Sequence, residues 1–467
     1  MKAKLTLKQL LDSPNDIKIL FLGREGTFTK TEIERFFKKS NITLVSDYEN
    51  DLAAIIEHNM LNPVEEDISN MAYENSVPLY KLKDFEKIMS SSLNDDELLM
   101  GIKLANDQSR ILRLLGNEHI NNTLFVKLLR MYEWDDEDDD SRDDRDVIMY
   151  TLSRYIDIKP NEEDLLYSYL TLRRLATEAN DPKLLLALTN FPNFEFSIRG
   201  KEKITLRETI ARNVNIDVEV INKLISFRDM KIDLSLSSNP IVEVAMLEKF
   251  IEKNSIDMFK ALATNQNINN YIFEELLNKD EKVVELLLIW QNINMERLEL
   301  IESAELDKNL FALLAANEYL EEEVVLKLLS LNSEEIMTNL AANTNIKSSV
   351  YEKIYKQNIE KTYEKLAKND KTPLWILEEL YKNNSDNKQI VTALSYNSTL
   401  SVDILKEMFE RDDFEINKGL ATNSSLPMEL LDILKVDTRL QNYLAQNRVF
   451  IKEYETVLDY DKNAVQF

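Results

Sequence analysis

Few residues of this chain have the types and spacing that catalysis or metal binding requires. Its 467 residues include no Cys and only two His, His58 and His119, far apart in the sequence. Thiol nucleophiles, disulfides, thiolate zinc sites and cysteine-ligated iron–sulfur clusters are therefore excluded, and no second His stands at ligand spacing to either one. No Gly-x-Ser-x-Gly nucleophile motif is present. We expect no catalytic residue, no metal and no cofactor.

The segment from Gly23 to Lys30 carries a weak phosphate-loop signal. It lacks the Gly directly before Lys that a P-loop needs, so we interpret it as a turn into a helix. Acidic groups such as Glu321–Glu323 are explained by exposed helix starts. Neither pattern predicts an enzyme.

An acidic segment at residues 133–146 is the strongest candidate for contact with a partner. It contains ten acidic and two basic residues, too much like charge to pack into a core. An EF-hand loop starting at Asp136 is excluded because its sixth residue is Ser141 and its twelfth is Val147. The alternative is a tolerated loop insertion. The candidate partner-binding residues are Trp134, Asp135, Asp136, Asp138, Asp139 and Asp140.

A repeat of about 26 residues organises most of the chain. One copy reads Leu340-Ala341-Ala342-Asn343, and the sequences before Asn265 and Asn423 are nearly the same. Counting on the Asn, copies run from Asn190 to Asn447 at intervals of 23 to 28 residues, with Asn292 among them, and an earlier copy ends at Asn117. The residues assigned to repeat turns are Asn213, Asn239, Asn265, Asn317, Asn343, Asn369, Asn397 and Asn423.

Each copy predicts two short helices. Ser333 is a capping residue before the first helix, and Asn343 follows its last apolar residue, where we expect the left-handed backbone that often ends a helix. Four residues after each Asn, cap-type residues such as Asp217 or prolines such as Pro373 start the second helix. A pair this small must stack on its neighbours to bury its apolar faces. Trp290 and Trp375 fit the helical periodicity, so we expect them in the core.

The Leu-Ala-x-Asn repeat resembles the leucine-rich repeat variant family and, more loosely, HEAT and armadillo arrays. The resemblance implies a mostly α fold, a right-handed α-solenoid of two-helix repeats over residues 94–467. Residues 459–463 would form a polar end cap.

Residues 1–93 do not repeat and predict a small α/β domain. Strands are expected at 17–23, 42–46, 52–56 and 76–80, with helices at 29–39, 64–75 and 83–89. This order resembles a BRCT-like domain, through Gly23 after the first strand, an Ala in the second helix, Val77-Pro78, and Phe85 where the family usually has Trp. The alternative is a small cap on the first repeat.

The BRCT resemblance implies a binding module, and some members of that family hold phosphopeptides. Their phosphate pocket uses a Ser or Thr before the Gly and a Lys in the second helix. Here Leu22 precedes Gly23, and the helix at 64–75 has no Lys. The sequence therefore argues against phosphopeptide binding.

The net charge of −26 bears most directly on function. Residues 1–93 contribute −3 and the remainder −23, which repels phosphate backbones and favours basic protein surfaces. We therefore expect a cytoplasmic, monomeric, non-enzymatic scaffold that binds a basic protein and has no membrane span. The alternative is a protein of DNA metabolism that meets nucleic acid, or a DNA-bound complex, through its BRCT-like module.

Overall fold

The computed structural model describes residues 5–12, 16–24, 26–135, 141–156, 169–197 and 203–452. Over these residues the protein is mostly helical, with a small α/β region near its N-terminus, as the sequence predicts, and the strands of that region form a parallel sheet. The chain divides into two compact units, Met1–Ile241 and Val242–Phe467. The domain boundary expected near residue 93 lies inside the first unit.

The first unit begins with the α/β elements and continues into helices. Its strands are β1 (Ile17–Leu22), β2 (Ile42–Val45), β3 (Leu52–Glu57), β4 (Leu79–Lys81), β5 (Glu195–Phe196) and β6 (Ile204–Thr205). Its described helices are α1 (Leu7–Leu11), α2 (Lys30–Lys39), α3 (Pro63–Glu74), α4 (Leu82–Ser91), α5 (Asp95–Ala105), α6 (Gln108–Leu115), α7 (Asn122–Leu129), α8 (Arg142–Tyr155), α9 (Tyr169–Glu178), α10 (Pro182–Leu188), α11 (Leu206–Ala211), α12 (Val218–Ser226) and α13 (Met230–Ser237).

Four parallel strands form the sheet, in the order β2-β1-β3-β4, and every strand and helix predicted for this region is present. One face packs against an aromatic cluster in which Phe85 lies 5.1 Å from Phe21 and 5.3 Å from Phe37, measured between ring centroids. The other face covers an aliphatic cluster that includes Leu20 and Ala72 of α3. Burial of both faces explains why these strands are nearly continuous apolar runs.

Gly23 ends β1 in a conformation that only glycine adopts easily. Its φ is +95°, and a Cβ there would stand 2.6 Å from the Cβ of His58. Both the backbone and the space therefore require Gly at the point where the chain leaves the sheet.

The second unit contains helices and no named strand in its described part. Its helices are α14 (Val244–Ile251), α15 (Ile256–Ala263), α16 (Asn270–Leu277), α17 (Glu281–Trp290), α18 (Met295–Ser303), α19 (Lys308–Leu313), α20 (Glu322–Ser330), α21 (Glu334–Ala342), α22 (Ser348–Lys356), α23 (Glu360–Lys368), α24 (Leu374–Asn383), α25 (Lys388–Ser395), α26 (Val402–Phe409), α27 (Phe414–Thr422), α28 (Met428–Leu434) and α29 (Gln441–Leu444), with 3-10 turns at Leu314–Ala316 and Thr438–Leu440.

Helices pack in a repeat-like arrangement within each unit. In the second unit α21 packs on α23, α23 on α25 and α25 on α27, so that the first helix of one repeat covers the first helix of the next. Second helices do the same, as α16 with α18 and α18 with α20. Leu340 and Ala341 of α21 are fully buried in such a contact. The small Ala keeps neighbouring first helices close.

Backbone conformation corrects one expectation about the repeat turns. Asn343 has φ −70° and ψ 125°, an extended conformation, and Asn369 and Asn423 are extended too. The left-handed residues instead follow the second helices. They are Arg228, Asn254, Glu305, Asn332, Asn358 and Asp412. The chain needs its tight reversal there, before it re-enters the next first helix.

Glu305 offers a test of this assignment. Its φ is +49°, which is unfavourable for a residue with a Cβ, whereas Gly adopts it freely. We expect Glu305→Gly to raise the free energy of unfolding by about 0.5–1 kcal/mol, measured by urea denaturation. The control Glu299→Gly, at an exposed site inside α18, should lower it by about 1 kcal/mol. A loss of stability in both variants would contradict the left-handed turn.

No helix in the described part of the chain is both long enough and apolar enough to cross a membrane.

Candidate functional site

The repeat Asn side chains connect neighbouring repeats rather than facing outward. The Nδ2 group of Asn343 donates to the carbonyl oxygens of Ala315 at 3.1 Å and Asn317 at 2.7 Å, both in the preceding repeat. Its Oδ1 accepts from the backbone N–H of Asn345 at 2.9 Å. Asn343 is only 3% exposed, so one buried amide satisfies three backbone groups.

We call this series of buried amides the amide ladder. In the first unit Asn239 donates to the carbonyl oxygens of Ala211 and Asn213. In the second unit each amide likewise donates to carbonyls of the repeat before it, the one at Asn447 bonding Ala421 and Asn423. The members are Asn213, Asn239, Gln291, Asn317, Asn343, Asn369, Asn397, Asn423 and Asn447. Asn265 is also fully buried, and its Oδ1 accepts from the N–H of Asn267.

Two positions that the spacing assigned to the series do not belong to it. Gln291, and not Asn292, donates to the carbonyls of Ala263 and Asn265 at 2.8 and 2.7 Å, while Asn292 is exposed. Asn190 follows α10, a second helix that packs on α12. Spacing alone cannot separate a Gln from the Asn beside it, nor a first helix from a second.

Arg297 binds to Gln291, the ladder amide of its own repeat. Its Nη1 donates to the Gln291 Oε1 at 3.2 Å, and its Nη2 to the carbonyl of Ile268 at 2.6 Å. Its Nε donates to the Asn270 Oδ1 at 3.0 Å, and the guanidinium lies 4.8 Å from the Phe273 ring centre. Burial lowers the pKa of Arg297 below its usual range, where it stays charged. Its sequence context gave no signal of this role.

The acidic segment is attached at both ends to the helical core. Trp134 is half-buried, with its ring centroid 4.4 Å from Phe191 and 5.2 Å from Tyr132. Asp135 is exposed. Asp136, Asp138, Asp139 and Asp140 lie outside the described residues. The structure therefore places the indole of Trp134 against the first unit's own side chains.

Residues 142–146, expected to be loop, form the first turn of α8. Asp144 is buried there, and the Tyr132 hydroxyl donates to its Oδ1 at 2.7 Å. Burial raises the pKa of Asp144 above its usual range, opposed by the bond from Tyr132. Asp144 thus leaves the acidic surface and becomes an anchor, because its position in α8 turns it toward Tyr132.

Both histidines line one cleft of the first unit. The cavity has a volume of about 370 Å³ and is bordered by His58, His119, Lys83, Glu86 and Glu118, among others. The sequence did not predict that the two histidines share a cleft, because their proximity depends on how α4 and the turn after α6 pack together.

The charged groups of this cleft are already engaged. Lys83 contacts Glu118 at 2.5 Å, and this bond lowers the pKa of the Glu118 carboxyl. Glu86 accepts from the Thr27 N–H at 2.5 Å, and the His58 Nδ1 accepts from the N–H of Met60. Among the described residues no three His, Asp or Glu side chains are grouped as metal ligands. The cleft can hold a small polar molecule, but its carboxylates are not arranged as an acid–base pair.

Two tryptophans expected in the core are at the surface. Trp290 is 45% exposed and Trp375 is 40% exposed. The prediction was wrong because both stand at the edge of the apolar stripe of their helices, where periodicity does not separate core from surface. The end cap expected at residues 459–463 lies outside the described residues.

No protein-family model matches this chain, and no curated protein or solved structure is similar enough to be matched.

Proposed function

We propose that this protein is a non-enzymatic scaffold that binds a basic protein partner along a right-handed α-solenoid. The observation that carries the proposal is a charge of −23 on residues 94–467, most of which form a repeat-like helical array. Stacked helix pairs present an extended surface, and their outward residues can vary without disturbing the core. The leucine-rich repeat variant and HEAT-like resemblance supports the same architecture.

The amide ladder supports a structural role for the motif positions that recur in each repeat. Asn343 and its equivalents are buried and bonded to backbone, so they are not available to a ligand. Exposed side chains, and not the ladder amides, would then contact the partner. Ion pairs between neighbouring repeats, such as Lys347 with Glu322 and Lys361 with Glu334, use only some of the acidic groups at the surface. The excess negative charge attracts cationic surfaces over distances of about 10 Å.

We further propose that the N-terminal part is a BRCT-like binding module that does not take phosphopeptides. Its fully parallel sheet flanked by helices supports the resemblance. The Gly23 N–H, however, donates to the Glu65 Oε1 at 3.0 Å. A carboxylate of the protein itself therefore holds the backbone donor that directly follows Leu22, where the family has its Ser or Thr, and a second anion there would be repelled.

Binding to peptides of opposite charge tests the scaffold proposal. The full chain, immobilised, should bind a ten-residue peptide of alternating Lys and Ala, and the affinity should fall several-fold when salt rises from about 50 to 200 mM. The matched peptide with Glu in place of Lys should not bind. A duplex of about 20 base pairs should not bind at the lower salt concentration. Steeply salt-dependent DNA binding with no affinity for the Lys peptide would instead support the nucleic-acid alternative.

A further inference from the structure

Three aromatic side chains from three consecutive helices meet at the surface of the second unit. Tyr355 of α22 lies 5.9 Å from Trp375 of α24, between ring centroids, with their planes at 81°. Tyr363 of α23 lies 6.0 Å from Tyr355 at 45°. Trp375 is exposed and the two tyrosines are half-buried. We call these three residues the aromatic corner. The Tyr355 and Trp375 rings meet edge to face and the two tyrosine rings are tilted, so the three rings do not stack in parallel.

Carboxylates border the aromatic corner. Burial raises the pKa of the Tyr355 hydroxyl, a bond from Asn383 opposes that rise, and the nearby Glu379 adds to it. Burial also raises the pKa of Tyr363, with Glu360 contributing. The charged groups that act on both phenols are therefore negative. Two lysines of α23 are paired elsewhere, Lys361 with Glu334 at 3.0 Å and Lys368 with Glu364 at 2.7 Å.

Elsewhere the protein covers aromatic rings with its own cations. Guanidinium groups lie 3.8 Å from the Phe227 ring centre, 4.5 Å from Phe125 and 4.4 Å from Phe414. Tyr381, in the same helix as Trp375, has Arg411 at 5.1 Å. Among the described side chains, no Lys or Arg lies over a ring of the aromatic corner. It thus has the composition of a cation site, aromatic rings with nearby carboxylates, without a resident cation.

We propose that the aromatic corner binds the ammonium group of a lysine side chain presented by a basic protein partner. The inference rests on the proposed function, which supplies a cationic partner, and it adds the place of contact. Ring faces attract the ammonium through their quadrupole, while Glu360 and Glu379 add charge complementarity. Trp is the strongest such face and is common among residues that dominate binding energy, so Trp375 should contribute most.

The test uses the full chain and the ten-residue Lys-Ala peptide, with a second peptide in which norleucine replaces every Lys. Affinity is measured by calorimetry, and the lysine ε-methylene protons are followed by NMR. The unchanged protein should move these protons upfield, since they would lie over ring faces. Trp375→Leu should weaken binding roughly fivefold and abolish the upfield shift. Trp375→Phe should retain part of both effects. The norleucine peptide should not bind.

Trp290→Leu is the matched control, because Trp290 is equally exposed but stands in a different repeat. Binding by Trp290→Leu should equal that of the unchanged protein. If Trp375→Leu, with an unaltered unfolding midpoint, binds the Lys peptide as well as the unchanged protein does, the aromatic corner is overturned and the scaffold proposal stands. If the unchanged protein does not bind the Lys peptide at any salt concentration, the scaffold proposal and the corner both fail. Should Trp375→Leu unfold, Tyr363→Leu replaces it, with the same two outcomes.

Discussion

Replacement of Asn343 by Ala should lower the free energy of unfolding by about 3 kcal/mol. The substitution removes the donor shared by the carbonyls of Ala315 and Asn317 and the acceptor of the Asn345 N–H. Water cannot readily replace these partners, because the amide is almost fully buried. Asn343→Asp should lower the free energy of unfolding further, since it keeps the shape but buries a charged carboxylate that cannot donate a hydrogen bond.

Urea denaturation of the full chain measures the loss, and hydrogen exchange locates it. Amide hydrogen exchange should accelerate in the peptides that contain Asn317 and Asn345, because both residues lose a hydrogen bond to the Asn343 side chain. An effect on unfolding below about 1 kcal/mol would mean that the ladder bonds contribute no more than average hydrogen bonds.

Gln291 and its exposed neighbour Asn292 provide a matched pair of substitutions. Gln291→Ala should destabilise the protein about as strongly as Asn343→Ala, because it also leaves two buried carbonyls unpaired. Asn292→Ala, one residue away and exposed, should change the stability by less than about 0.5 kcal/mol. A larger loss of stability for Asn292→Ala than for Gln291→Ala would mean that Asn292 holds the ladder position, as the sequence spacing suggested.

Arg297→Met should also be severely destabilising, by about 3–4 kcal/mol. Methionine fills most of the volume but leaves the Ile268 carbonyl and the oxygens of Asn270 and Gln291 without their donor. The cation over Phe273 is lost as well. Arg297→Lys should restore only part of the stability, because one ammonium cannot reach partners in three directions.

The control is Arg439→Met. Arg439 also lies over an aromatic ring, Phe414, and pairs with Asp437, but its side chain is 68% exposed. Its loss should change the unfolding free energy far less than the loss of Arg297 does, because solvent screens an exposed ion pair. Equal effects of the two substitutions, read from the same urea transitions, would contradict a special role for the buried guanidinium.

Local patterns in the sequence predicted the elements well. Apolar runs placed β1 and β3, and capping residues such as Asp217 and Ser333 marked helix starts that the structure contains. These features depend on interactions within a few residues, which the sequence displays directly. The repeat period is visible for the same reason, since each copy must bury the same faces against its neighbours.

Features that depend on contact with a distant segment of the chain could not be predicted from local sequence patterns. Asn343 ends α21 as the sequence predicts, but its side chain bonds to carbonyls 26 and 28 residues earlier in the chain, which the sequence does not display. The left-handed turn moved from Asn343 to Asn332, because the path into the next repeat and not the residue type determines where the chain reverses. Both residues are Asn, so composition could not choose between them.

The sequence by itself determined that this protein is mostly helical and repeat-like, with a small α/β region near its N-terminus and a large negative charge. Only the tertiary structure decided that Gln291 replaces Asn292 in the ladder, that Trp134 packs inward while Trp375 faces solvent, and that His58 and His119 share a cleft. The physical reason is the range of the interactions. Helix and strand formation depend on near neighbours, whereas burial, pairing of buried amides and exposure of an aromatic ring depend on which distant segment packs against them.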